Sequence, residues 1–97
     1  MRFLVGAHVM LNHVDMKPLV AVTTHSHPHE QLGLTLEGEL NLWIGDEERA
    51  LRTGDMYVVP SGMLHGARSG DSRILAVEAF FPLREDYLRR VARGSTS

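Results

Sequence analysis

The chemistry in this chain is concentrated in Thr24-His25-Ser26-His27-Pro28-His29-Glu30-Gln31, which holds three of its six histidines. Side chains along an extended strand alternate between faces, so His25, His27 and Gln31 read as in phase on one face. Two imidazoles on one face of a strand can chelate a single ion. Neutral imidazole suits several divalent transition ions, and an amide oxygen from Gln31 adds a harder donor. A fourth donor must come from elsewhere in the chain. His65 is the candidate, because Pro60-Ser61-Gly62 is a turn signal that could return the chain alongside the first strand. The expected centre is one divalent transition metal (zinc, nickel, manganese or iron) on His25, His27, Gln31 and His65. His29 is also in phase, but Pro28 disturbs the pleat beside it. It is expected at the rim or in a hydrogen bond to a ligand. His8 and His13 read as structural or exposed. The competing reading is a set of surface histidines on a polar strand.

The elements that must position these groups read as strands. Short apolar or alternating runs fall at residues 9–11, 19–24, 32–36, 40–44, 50–51, 56–59 and 74–81. Turn-forming residues separate them, among them Lys17-Pro18, Glu37-Gly38-Glu39, Gly45-Asp46-Glu47, Thr53-Gly54-Asp55 and Ser69-Gly70-Asp71. Turn signals this frequent imply an all-β sandwich or barrel. Residues 83–93 are the single expected helix. Pro82 precedes it, Glu85 and Asp86 suit its start, Arg89, Arg90 and Arg93 suit its end, and Gly94 stops it. Residues 94–97 are expected to be a disordered tail, leaving residues 1–93 as a single domain. The run 74–81 is apolar on both faces, so both faces should be covered. A second layer or a partner subunit would do this, and a homodimer is expected.

Bulk properties exclude several classes. The 97 residues suit one domain, and the net charge of -2 offers no basic field for nucleic acid or anionic lipid. Without cysteine there can be no disulfide or thiolate metal site. No apolar run is long enough to span a bilayer, and the short apolar run near the N-terminus is no signal peptide. A cytoplasmic location is expected.

The two segments resemble the two motifs of the cupin family. The first matches at His25, His27, Gln31 and Gly38, and the second at Gly54, Pro60, Gly62 and His65. The resemblance implies a small jelly roll, that is, a double-stranded β-helix barrel, around one metal ion. Two positions depart from the common pattern. Gln31 stands where cupins usually have Glu, which keeps an oxygen but removes a charge. Leu19 stands where they usually have Gly. The motif glycines Gly38, Gly54 and Gly62 fall at turns where a positive φ or a close backbone approach is expected.

A narrower resemblance covers roughly residues 20–88. His-Ser-His-Pro-His-Glu-Gln, together with the closing run Val77 to Leu88, is similar to small cupins of the pectin-degradation type. Those proteins convert 4,5-unsaturated uronates to the linear keto form. Their functional Asp, Phe and Arg map onto Glu78, Phe80 and Arg84 here. The residues themselves support such a role. A carboxylate among apolar neighbours needs a partner or a raised pKa, which suits proton transfer. Arg84 could clamp a substrate carboxylate, and Phe80 could wall the pocket. The competing reading pairs Glu78 with Arg84 as a structural salt bridge and puts Phe80 in the core. The implied partner is a small anionic, sugar-like acid. A metal-dependent dioxygenase and a non-catalytic small-molecule binder are the alternatives. Tyr57 receives no role from the sequence.

Overall fold

The computed structural model describes residues 2–86 and residue 88. Nine strands are present among them: β1 (Arg2–Val5), β2 (Met10–Met16), β3 (Ala21–His25), β4 (Glu30–Glu37), β5 (Leu40–Ile44), β6 (Glu47–Leu51), β7 (Met56–Val59), β8 (His65–Ser69) and β9 (Ile74–Phe81). They form two antiparallel sheets, one in the order β1-β2-β9-β4-β7 and the other β3-β8-β5-β6. The architecture is the all-β jelly roll that the turn spacing and the motifs imply.

Strand alternation builds the core. Along β4, Gln31, Gly33 and Thr35 are buried while Leu32, Leu34 and Leu36 face outward. Leu40 and Leu42 of β5, Leu51, Tyr57, Val59, Ala67 and Ile74 meet between the sheets. Burying such side chains contributes roughly 1.5–3 kcal/mol each. β9 sits centrally in its sheet, paired with β2 on one side and β4 on the other. Its inner residues Ile74, Ala76, Glu78 and Phe80 therefore line the interior cavity.

Two strands were not legible in the apolar pattern. β8, His-Gly-Ala-Arg-Ser, holds little apolar surface, yet it pairs on both sides, with β3 and with β5. Its backbone is satisfied by neighbours rather than by its own propensity. β1 is an edge strand on β2.

The motif turns behave as expected at Gly38, Gly54 and Gly62, all with positive φ. At Gly38 a side chain would also collide with the carbonyl of Arg73. Leu19 takes φ 58, the left-handed conformation of the glycine it replaces. Its N–H donates to Gly70 O at 2.9 Å, and the next N–H, of Val20, donates to Ser69 Oγ at 2.9 Å. The surrounding turn imposes the conformation.

The expected helix over 83–93 is not borne out as an element of the fold. Among the described residues of that span, helical backbone is found at Glu85, Asp86 and Leu88, where Leu88 N donates to Arg84 O at 3.1 Å. The remainder of that span, with the arginines assigned to its end, lies outside the described residues, as does the expected tail at 94–97. No helix among the described residues is long and apolar enough to cross a membrane.

Candidate metal centre

Three imidazoles converge at one end of the barrel. His25 ends β3 and stands directly opposite His65, the first residue of β8. Their ring centroids are 4.4 Å apart, and His27 lies 4.8 Å from His65 and 5.7 Å from His25. One ligating atom from each of the three falls within 4.8 Å of the others, a spacing that one ion could bridge.

The phase argument for this convergence requires correction. β3 stops at His25, and His27 belongs to the loop that carries the chain across to the other sheet. Gln31 is therefore on β4 in the opposite sheet, and strand alternation does not align it with His25. The crossover brings them together. Pro28, which cannot donate to a ladder, sits in that break. The loop is tied to the second motif. Gly62 N donates to His27 O at 2.8 Å, and Ser61 Oγ donates to Pro28 O at 2.5 Å. The Pro60-Ser61-Gly62 turn thus seats His27 beside His65.

Each imidazole is oriented by a backbone carbonyl two residues away. His25 Nδ1 faces Thr23 O at 2.7 Å, His27 Nδ1 faces His29 O at 3.0 Å, and His65 Nδ1 faces Met63 O at 2.8 Å. A carbonyl only accepts, so each Nδ1 carries the proton and each Nε2 presents a lone pair. His27 Nε2 is buried and has no hydrogen-bond partner among the described residues. A buried acceptor in that state is costly unless a ligand satisfies it. The donor set therefore fits a divalent transition metal. Burial pushes the His27 and His65 pKa values below the ordinary imidazole range. The nearby Arg84 charge acts in the same direction on both. Both shifts favour the neutral, ligating form.

Opposite the histidines, the five-stranded sheet contributes a polar row. Gln31 is buried, and its Nε2 donates a short hydrogen bond to Glu78 Oε2. Tyr57 Oη donates to the same oxygen at 2.8 Å. Burial pushes the Glu78 carboxyl above its usual range, against the opposing pull of Tyr57, Gln31 and Arg84. Burial and the Glu78 charge hold the Tyr57 phenol protonated. Phe80 is fully buried, with its ring 5.9 Å from that of His27 and the Arg84 guanidinium 5.0 Å from its centroid. Asp86 grips Arg84 in two bonds of 3.1 and 2.7 Å. Glu78 thus accepts from Tyr57 and Gln31 while Arg84 donates to Asp86, and the Arg84 charge also acts on Glu78. Glu78, Phe80, Arg84, Gln31, His25 and His65 all line one interior cavity of about 430 Å³.

The residues missed by sequence reasoning are Tyr57 and Asp86. Asp86 was assigned to a helix start. Tyr57 lies in a short apolar strand, where nothing in the local sequence marks a polar contact. His29 is partly buried, its carbonyl faces His27 Nδ1, and its ring lies 5.4 Å from that of His27. His8 is exposed in the bend between β1 and β2, and His13, on β2, is partly buried.

The family model for the cupin domain matches residues 12–78. The chain belongs to the cupin family. Among curated relatives, the pectin degradation protein KdgF of Dickeya dadantii is 33% identical over 67 residues, covering 68% of this chain and 61% of that protein. The H2HPP isomerase of Bacillus subtilis is 33% identical over 72 residues, covering 72% of this chain and 30% of the isomerase. This cupin thus spans less than two thirds of the length of either relative. Among solved structures, KdgF from Halomonas sp. superposes with a TM-score of 0.83 at 27% identity, over 89% of this chain and 80% of that one. An RmlC-like cupin from Shewanella frigidimarina gives a TM-score of 0.84 at 25% identity, over 89% and 78%. The chain resembles the pectin-degradation cupins in sequence and in fold.

Proposed function

We propose that this cupin is a metal-dependent lyase or isomerase that converts an unsaturated uronate, or a related small keto or enol acid, to its linear keto form. One observation supports it above all: the Glu78 carboxyl, the Arg84 guanidinium and Phe80 share one cavity with His25, His65 and Gln31. A metal bound by His25, His27, Gln31 and His65 would supply Lewis-acid polarisation of a substrate oxygen. Arg84 holds the substrate carboxylate, Phe80 packs against the ring, and Glu78 moves the proton. The upward-shifted Glu78 carboxyl suits a group that must both take up and release a proton. The reaction is an isomerisation: the anomeric hydroxyl loses its proton as the C1–O5 ring bond breaks to an aldehyde and a C5 enolate, and C4 takes up a proton to leave the C5 ketone. Loss of the double-bond absorbance on mixing with a 4,5-unsaturated uronate tests this. Saturable binding without turnover would make the protein a binding module. Oxygen uptake by the iron form would make it an oxygenase.

The partner reading rests on the outer face of the five-stranded sheet. Register aligns Leu4, Leu11, Ala79, Leu32 and Val58 in one row across all five strands. Leu4, Leu11, Leu32 and Val58 are 70, 41, 53 and 46% exposed. Monomers seldom expose so continuous an apolar row, and a second copy of the chain would cover it. Light scattering of the native chain and of Leu32→Lys tests this: a dimer should become a monomer.

A further inference from the structure

Row by row, the inner face of the five-stranded sheet explains how Gln31 is aimed. Tyr57 of β7 stands opposite Gly33 of β4, and Gly33 stands opposite Glu78 of β9. The Tyr57 ring lies over Gly33 and places its hydroxyl 2.8 Å from Glu78 Oε2. A Cβ at position 33 would overlap that ring. The absent side chain in a central strand is therefore a passage between β7 and β9. It lets a residue two strands away reach Glu78, which in turn meets the Gln31 amide.

Glu78 Oε2 accepts from both Tyr57 Oη and the Gln31 amide nitrogen. The Gln31 NH2 group is therefore turned to Glu78, which commits its oxygen to the other side. A carboxylate ligand would need no such arrangement, because both its ends are oxygens. Substituting an amide for the usual carboxylate creates a problem of orientation. An amide turned the other way offers the metal an NH2 group, which is no ligand. We propose that Tyr57, reaching across Gly33, is a positioning residue that together with Glu78 fixes the Gln31 amide with its oxygen toward the three imidazoles. This rests on the metal reading above. The hydroxyl contributes by holding the Glu78 carboxylate in the one place where it can hold the amide.

The test is cobalt binding by the full chain, read as dissociation constant and visible spectrum. The native protein, Tyr57→Phe, Gln31→Ala and the double variant are compared. Tyr57→Phe should weaken Co(II) binding by about tenfold, as loss of an outer hydrogen bond at a metal site does, and shift the spectrum. In the Gln31→Ala background the same change should have no further effect, because no amide is left to orient. Unchanged affinity and spectrum in Tyr57→Phe overturns the proposal, as does an equal loss in both backgrounds. If the native protein itself fails to bind Co(II), the metal reading falls and this one with it. A second measurement needs no variant. In the native protein the Gln31 side-chain NH2 should give shifted, exchange-protected nuclear magnetic resonance signals. Signals at the positions of a free glutamine amide overturn the proposal.

Discussion

The two walls of the cavity are built by different means. The histidine wall is local. Each imidazole takes its orientation from a carbonyl two residues away in its own segment. The opposite wall is assembled across strands. Gln31, Tyr57 and Glu78 come from β4, β7 and β9, separated in sequence by 21 to 47 residues. Local geometry is robust to remote change, whereas the cross-strand wall depends on register and on the space above Gly33. The first wall should therefore supply most of the metal affinity, and the second a smaller share of it together with the proton chemistry.

The largest effect should come from breaking the local wall. His65→Ala removes a donor from the centre of the cluster, and metal affinity should fall by at least about 1,000-fold. Elemental analysis after reloading checks this, and metal content equal to that of the native chain would contradict it. Glu78→Gln sharpens the contrast. The substituted amide oxygen still accepts from Tyr57 and Gln31, so metal content should hold. Turnover of the unsaturated uronate should drop by about 100-fold or more, since proton transfer is lost. Equal loss of metal and turnover would mean that the two walls are not separable.

A smaller effect concerns pH. In the metal-free protein His27 and His65 titrate below the ordinary imidazole value of 6.5. The unfolded chain then binds protons first, so their stabilising contribution is full above 6.5 and is lost as pH falls through the depressed values. Glu78 has the opposite sign. Its raised pKa contributes stability that is present below 4.5 and lost as pH rises through the folded value. The walls therefore oppose one another on acidification. Urea midpoints between pH 7 and 5 should fall more steeply in Glu78→Gln than in the native chain. The smallest effect lies outside both walls. Leu19 is 78% exposed and strained at φ 58, so Leu19→Gly should raise stability by about 1 kcal/mol in urea unfolding without altering metal affinity.

The sequence by itself determined the fold class, the turns and the identity of the clustered groups. His25, His27, Gln31 and His65 carry their chemistry in their side chains, and proline, glycine and strand alternation are local properties. The positive φ at Gly38, Gly54 and Gly62 was legible for the same reason. What the sequence could not decide was how the groups meet. His25 and Gln31 looked aligned on one strand, but a loop crossing between sheets aligns them instead. β8 has no apolar signature because its neighbours, not its residues, make it a strand. Tyr57 became part of the site only because the register of three strands places it opposite a glycine, and beyond that glycine a carboxylate. Register is a property of strand pairs, and only the tertiary structure sets it.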